Sequence, residues 1–298
     1  MNAGLSNEIY RLEKAIERIE RDKPLLRAAT TAFKEILISR TLLKARLSPE
    51  RPEIHIPEPD SFRISEGYPL LTEEMITSLM DPWGETVEST IRPLIKVFPN
   101  IAAEVVCLRE ALVAREIDLR SCIGNLVEGR EDELIEVASY LGFQPIVLKF
   151  ILGHMLKPFV EKRTERLRPL IENYLWERGY CPICGASPEI SFIQGGEGQR
   201  WLKCSLCGYD WRFDRLACPC CGEINKAKEF IRVDGCEHEW VELCPDCHRY
   251  IVGIDLRGQT EMSADVAAIS MVHLDILAQR RGFLPTAESA WKYVPPNN

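Results

Sequence analysis

No apolar run in this 298-residue chain is long enough to cross a bilayer. The longest, Pro145 to Val160, is interrupted by Lys149, His154 and Lys157 and falls short of the roughly 20 residues a spanning helix needs. The first thirty residues hold no apolar signal core and instead carry the charged run Arg18-Ile19-Glu20-Arg21-Asp22-Lys23. The expectation is a cytoplasmic, reducing location in which thiols stay free. Positive charge is also short. The formal net charge is −8, and residues 178–255 hold nine Lys/Arg against twelve Asp/Glu. A cysteine ribbon that grips nucleic acid needs cations to neutralise phosphate, so a nucleic-acid partner is not expected. Walker loops, Gly-x-Gly-x-x-Gly after a strand, His-Glu-x-x-His and Gly-x-Ser-x-Gly are all missing, which speaks against a nucleotide enzyme or hydrolase. No catalytic residue is assigned.

Cysteine is what the chain has in abundance. Ten of its twelve cysteines lie between 181 and 247, and eight of them form four Cys-x-x-Cys pairs: Cys181/Cys184, Cys204/Cys207, Cys218/Cys221 and Cys244/Cys247. A tetrahedral metal needs sulfurs from two places at once. Two cysteines separated by two residues present both sulfurs to one ion, and a hairpin returns a second such knuckle to complete the site. In the first unit, Glu189–Ile193 and Arg200–Lys203 read as strands about the turn Gly195-Gly196-Glu197-Gly198. In the second, Glu229–Val233 and His238–Leu243 flank Asp234-Gly235. Sequential quartets (181, 184, 204, 207 and then 218, 221, 244, 247) are preferred over a swapped arrangement, because each loop then closes locally.

Two tetrathiolate ions are implied, zinc or a single iron as in rubredoxins; an iron–sulfur cluster would need a denser run of cysteines. Glycine follows three of the four knuckles, where a left-handed turn lets backbone amides face the thiolates, and His248 takes that place in the fourth. Conformation accounts for His248 better than a role as fifth ligand. Cys220 and Cys236 are left over; they read as spectators in preference to reactive thiols. Trp176, Trp201, Trp211 and Trp240 sit in or beside the ribbons and are expected to cover them.

The fold class is therefore α+β. An all-helical N-terminal domain (1–178) precedes two tandem rubredoxin-like or zinc-ribbon modules of four cysteines each (179–216 and 217–257), followed by a C-terminal helix and tail (258–298). The first helix carries Ile9, Leu12, Ile16 and Ile19 on one stripe with Ser6 as its cap, and Lys23-Pro24 interrupts it. A second helix places Ala29, Phe33, Ile36 and Leu37 together. Residues 48–69 hold five prolines and read as an extended connection. Further helices are expected at about 71–80, 84–97, 100–121, 130–141 and 145–178, the last breaking at Pro158 or Pro169. Cys107 and Cys122 read as buried small hydrophobes and His154 as a satisfied core residue. A last helix is capped by Ser263, presents Val266, Ile269, His273 and Ile276 on one packed face, and stops at Gly282.

These features resemble the formate dehydrogenase accessory protein family, FdhE. The likeness lies in Cys181-Pro182-Ile183-Cys184-Gly185 with Pro188, Trp201 to Cys207 with Trp211, Cys218 to Cys221, Cys244-Pro245-Asp246-Cys247 with Tyr250, and the helix from Ala264 to Phe283. The tail, Trp291 to Pro296, departs from the family's Asn-Pro-Phe ending, and Cys220 and His248 are local features. The resemblance implies a cytoplasmic factor needed to make active formate dehydrogenase. It would contact the molybdenum-containing catalytic subunit and carry rubredoxin-like sites that hold iron. Electron transfer through one-electron iron centres is the alternative, with a nucleic-acid-binding ribbon behind it. The oligomeric state, homo-oligomer included, is left open.

Overall fold

A computed structural model describes residues 3–47, 60–78, 81–224, 228–259, 262 and 264–287. Ile16 and Ile19 of α1 (Ala3–Asp22) and Phe33, Ile36 and Leu37 of α2 (Arg27–Arg46) are buried, and the two helices pack together across a single 3-10 turn opened by Pro24. Ser6 falls in the first turn of α1 instead of capping it, because the helix already runs from Ala3. Pro49, Pro52, Pro57 and Pro59 lie outside the described residues. Beyond them Asp60 accepts a hydrogen bond from Phe62 N and starts α3 (Ser61–Ser65), a turn of helix inside the span expected to be extended.

The helix expected over 71–80 is reduced to α4 (Glu73–Ile76), capped by the Thr72 hydroxyl. After α5 (Trp83–Val97), the helix expected over 100–121 is two. The first, α6 (Ala102–Val113), ends before Arg115 turns left-handed at φ 59°, and Asp118 then caps α7 (Leu119–Glu128). Next come α8 (Glu131–Leu141) and α9 (Pro145–Ile171), which runs unbroken through Pro158 and Pro169 and stops before the expected 178. Leu148, Ile151, Leu152, Met155, Val160 and Leu167 of α9 are fully buried, with α2, α5, α7 and α8 packed around them. No single described helix is long and apolar enough to cross a membrane.

Two side chains of this domain differ from expectation. Cys107 is exposed, while Cys122 is buried as expected. His154 is buried, but it is not satisfied: among the described residues neither ring nitrogen has a hydrogen-bond partner, and the edge-on ring of Phe150 lies 4.6 Å away. Burial holds its pKa well below the ordinary histidine value, with Lys157 and Arg40 adding to the effect.

The C-terminal part forms one sheet from β1 (Pro188–Gln194), β2 (Gln199–Cys204), β3 (Asp210–Arg212), β4 (Glu229–Ile231), β5 (Glu239–Cys244), β6 (Arg249–Asp255) and β7 (Leu284–Pro285). The order is β3-β2-β1-β6-β5-β4, with β7 on the start of β6. The two expected hairpins, β1–β2 and β4–β5, are present; β3, β6 and β7 are additions. β6 joins them by pairing antiparallel to β5 and parallel to β1 in the register Ile190↔Val252 to Ile193↔Asp255, so the two ribbons share one sheet.

On one face, Arg200 of β2 donates to Ser191 Oγ at 2.9 Å and to Glu242 of β5 at 2.9 Å, and Lys228 donates to the other oxygen of Glu242 at 2.8 Å. Arg200 also donates to the carbonyls of Asp214, Arg215 and Ala217, which holds the segment between the ribbons. Gly253 lies opposite Trp240, and a Cβ there would sit 2.3 Å from the indole ring.

Helices α10 (Ala264–Ser270) and α11 (Val272–Arg280) then cover the sheet, where one continuous helix was expected. Ser263 lies outside the described residues. Val266 and Ile269 are buried and His273 half-buried, but Ile276 is exposed, because the break at Met271 rotates α11 away from the α10 stripe.

Two stability outcomes are expected. Gly253→Ala forces a methyl into the Trp240 ring and should cost about 1–3 kcal/mol, read as a lower denaturation midpoint. The unfolded chain protonates His154 below about pH 6.5 while the folded chain keeps it neutral. Stability should therefore fall on acidification by up to about 1.4 kcal/mol per pH unit for this group. His154→Leu should flatten that slope between about pH 6.5 and 5 in denaturant titrations; an unchanged slope would exonerate the histidine.

Candidate metal centres

Each knuckle is a local consequence of its sequence. In the first, Gly185 N donates to Cys181 O and Cys181 N to Ala186 O, both at 2.9 Å, a turn that needs the left-handed Gly185 at φ 77°. Gly222 repeats it in the third knuckle, donating to Cys218 O at 2.9 Å. His248 takes the same backbone region at φ 53°, and its ring lies 5.8 Å from that of Phe283, so conformation and packing occupy it.

The hairpins bring the eight sulfurs into the two sequential quartets. Cys181, Cys184, Cys204 and Cys207 lie with their sulfurs within 4.8 Å of one another, as do Cys218, Cys221, Cys244 and Cys247. Across the first quartet Cys181–Cys207 and Cys184–Cys204 are each 3.4 Å apart; across the second, Cys218–Cys247 and Cys221–Cys244 are each 3.8 Å apart. A tetrahedron with metal–sulfur bonds of about 2.3 Å has edges of about 3.8 Å, so both quartets are of a size to hold one ion each.

Amides face the sulfurs as well. Ile183 N lies 3.4 Å from Cys181 Sγ, Leu206 N and Cys207 N each 3.4 Å from Cys204 Sγ, and Cys220 N 3.4 Å from Cys218 Sγ. These dipoles favour thiolate over thiol. Against them, burial pushes the thiols of Cys181 and Cys184 well above the ordinary cysteine range. Only a cation at the centre compensates for gathering four buried thiolates, which is the chemistry of a metal site.

Of the four tryptophans expected to cover the ribbons, Trp176, Trp211 and Trp240 are buried, while Trp201 is half-buried and stacks on Phe192. Trp211 is buried beside the first quartet and donates to Arg178 O at 3.1 Å, Trp176 donates to Tyr180 O at 2.7 Å, and Trp240 lies over Gly253. Cys220 is exposed.

Sequence reasoning missed a third cluster, in which Cys236, Glu239 and His273 also lie with ligand atoms within 4.8 Å. Glu239 is buried and already ion-paired with Lys23, whose ammonium also donates to Ser270 O at 2.8 Å; the Ser270 hydroxyl donates to Glu239 at 2.9 Å. With that cation in place the cluster ties α1 to the sheet. Burial, with Lys23 nearby, lowers the His273 pKa.

The family model described as "FdhE, central domain" matches residues 180–215, which span the whole first quartet. The Aquifex aeolicus "Protein FdhE homolog" is 30% identical over 170 residues, covering 55% of this chain and 59% of that protein. "Protein FdhE" of Escherichia coli O127:H6 is 28% identical over 109 residues, 36% of this chain and 35% of its own. The chain thus matches less than two thirds of the length of either relative. The crystal structure of the FdhE protein from Pseudomonas aeruginosa shares the fold, with a TM-score of 0.66 over 97% of this chain and 95% of that one at 19% identity.

If each quartet takes one ion, Cys221→Ser should reduce the metal content of natively purified protein from two ions per chain to one, with helicity unchanged. Elemental analysis beside circular dichroism reads this directly.

Proposed function

From these likenesses we propose that the chain is a member of the FdhE family and an accessory factor in the formation of active formate dehydrogenase. In this reading it docks to the enzyme's molybdenum-containing catalytic subunit in the cytoplasm and performs no reaction of its own. Cys181, Cys184, Cys204 and Cys207 hold one metal ion, and Cys218, Cys221, Cys244 and Cys247 hold a second, each iron or zinc. The observation that carries the proposal is that residues 180–215, matched by the family's central domain, enclose a complete sulfur quartet.

The chemistry of the site agrees with a binding role. A closed tetrathiolate leaves no coordination position for a substrate, so its ion supplies folding energy and a rigid surface. Zinc would do only that; iron would add a one-electron couple. Electron transfer stays as the second reading because Cys221 is exposed and Cys247 half-buried, which brings the second centre to the surface. Elemental analysis and a visible spectrum of protein purified without added metal separate the two. A colourless, stoichiometric zinc protein would end the electron-transfer reading.

The accessory reading is tested by affinity purification of the full chain from cells making formate dehydrogenase. The catalytic subunit is expected to be recovered with the chain and identified by mass spectrometry. Its consistent failure to copurify, with metal-loaded protein as bait, would remove the proposal's support.

A further inference from the structure

The two quartets are not equivalent in their surroundings. The first is part of the core: Cys181, Cys184, Cys204 and Cys207 are 0%, 8%, 2% and 2% exposed. They share one apolar cluster with Ile183, Leu202, Tyr209 and Trp211. The helical domain also closes over the first knuckle. Leu70 N donates to Pro182 O at 3.0 Å and Leu71 N to Ile183 O at 2.8 Å, and the Tyr180 hydroxyl donates to Gly67 O at 2.7 Å. This strap and the surrounding core keep all four cysteines buried.

The second quartet has its back to the protein and its front to solvent. Cys218 and Cys244 are buried, but Cys221 is exposed and Cys247 half-buried. Their neighbours Cys220, Pro245 and Asp246 are exposed too. The knuckle is held from behind, where Gly179 comes so close to Pro219 that a Cβ would sit 1.8 Å from its carbonyl oxygen. Firm backing with an open front lets two of the four ligands move without disturbing the sheet.

We infer that the two centres are divided in role. The Cys181–Cys207 quartet is a permanent part of the fold, and the Cys218–Cys247 quartet is an exchange centre at which a thiophilic metal ion is delivered or withdrawn by incoming thiolate ligands. This rests on the metal-holding reading above. Exchange is ligand substitution with no change of oxidation state. An entering thiol gives up its proton to water and forms a metal–sulfur bond, while the bond to Cys221 breaks and Cys221 takes up a proton. Cys220, exposed on the same knuckle and outside the quartet, is a thiol within the chain that would enter in the same way, losing its proton as it replaces Cys221 and regaining one when an outer thiolate displaces it. The first quartet has no exposed ligand of this kind: its four cysteines are all buried, and Cys207, which borders the cavity lined by Arg168, Lys203 and Asp210, is itself only 2% exposed.

The experiment uses the full chain, loaded with zinc and first confirmed by elemental analysis to hold two ions. Failure to load two sinks the metal reading itself, an outcome separate from failure of the division of roles. The loaded protein is exposed to N-ethylmaleimide with a graded zinc chelator, and each cysteine is followed by peptide mass spectrometry alongside the metal count. One ion should leave at least about tenfold faster than the other, together with modification of Cys221, Cys247, Cys218 and Cys244, while Cys181, Cys184, Cys204 and Cys207 stay unmodified. Loss of both ions together, or earlier modification of the first quartet, overturns the division of roles. In Cys220→Ser, exchange of the labile ion with isotopically labelled zinc should slow several-fold; an unchanged rate removes Cys220 from the route.

Discussion

Parallel pairing of β1 with β6 is the constraint on which the rest of the C-terminal half depends. An isolated two-stranded hairpin is marginal in water, and a ribbon of some forty residues buries little surface of its own. Here neither hairpin stands alone. The four pairs from Ile190↔Val252 to Ile193↔Asp255 make both ribbons one sheet, so each cysteine knuckle is anchored to strands that the other ribbon helps to bury. The Arg200–Glu242–Lys228 network spans that seam. Burying such charges is costly, and its effect is geometric: a slip of one residue at β1–β6 would separate Arg200 from Glu242, leaving the buried guanidinium without its carboxylate while Glu242 keeps only Lys228.

The helical domain completes the arrangement from two sides. On one, the backbone of Leu70 and Leu71 pairs with the first knuckle; on the other, Lys23, between α1 and α2, reaches the buried Glu239 at the start of β5. Both contacts use groups that would be expensive to leave unpaired, a backbone donor and a buried carboxylate. They hold the helices over the first centre and leave the front of the second uncovered by either contact.

Much of this was legible in the chain because its determinants are local. Cys-x-x-Cys-Gly fixes a knuckle within five residues, and Gly195 to Gly198 or Asp234-Gly235 returns the strand, so the pairing of eight sulfurs followed from spacing alone. What escaped was non-local. Arg249 to Asp255 is a strand rich in β-branched residues, but nothing near it says that its second partner lies some sixty residues earlier. The left-handed Arg115 that divides α6 from α7 carries no glycine to announce it, and α9 continues through Pro158 and Pro169 with other helices packed around it. The lack of partners for His154 is likewise a property of its pocket and not of its sequence neighbours.

Because β1 finds its inner neighbour only in β6, a nascent chain leaving the ribosome would complete the first sulfur quartet well before that edge of the sheet could close. During that interval Ile190 to Ile193 would present an unsatisfied strand edge to the surrounding proteome. Early capture of an ion at Cys181–Cys207 would give the emerging hairpin rigidity when it has least help from the remainder of the molecule. The delay is inherent in a topology that threads one continuous sheet through two separately encoded loops.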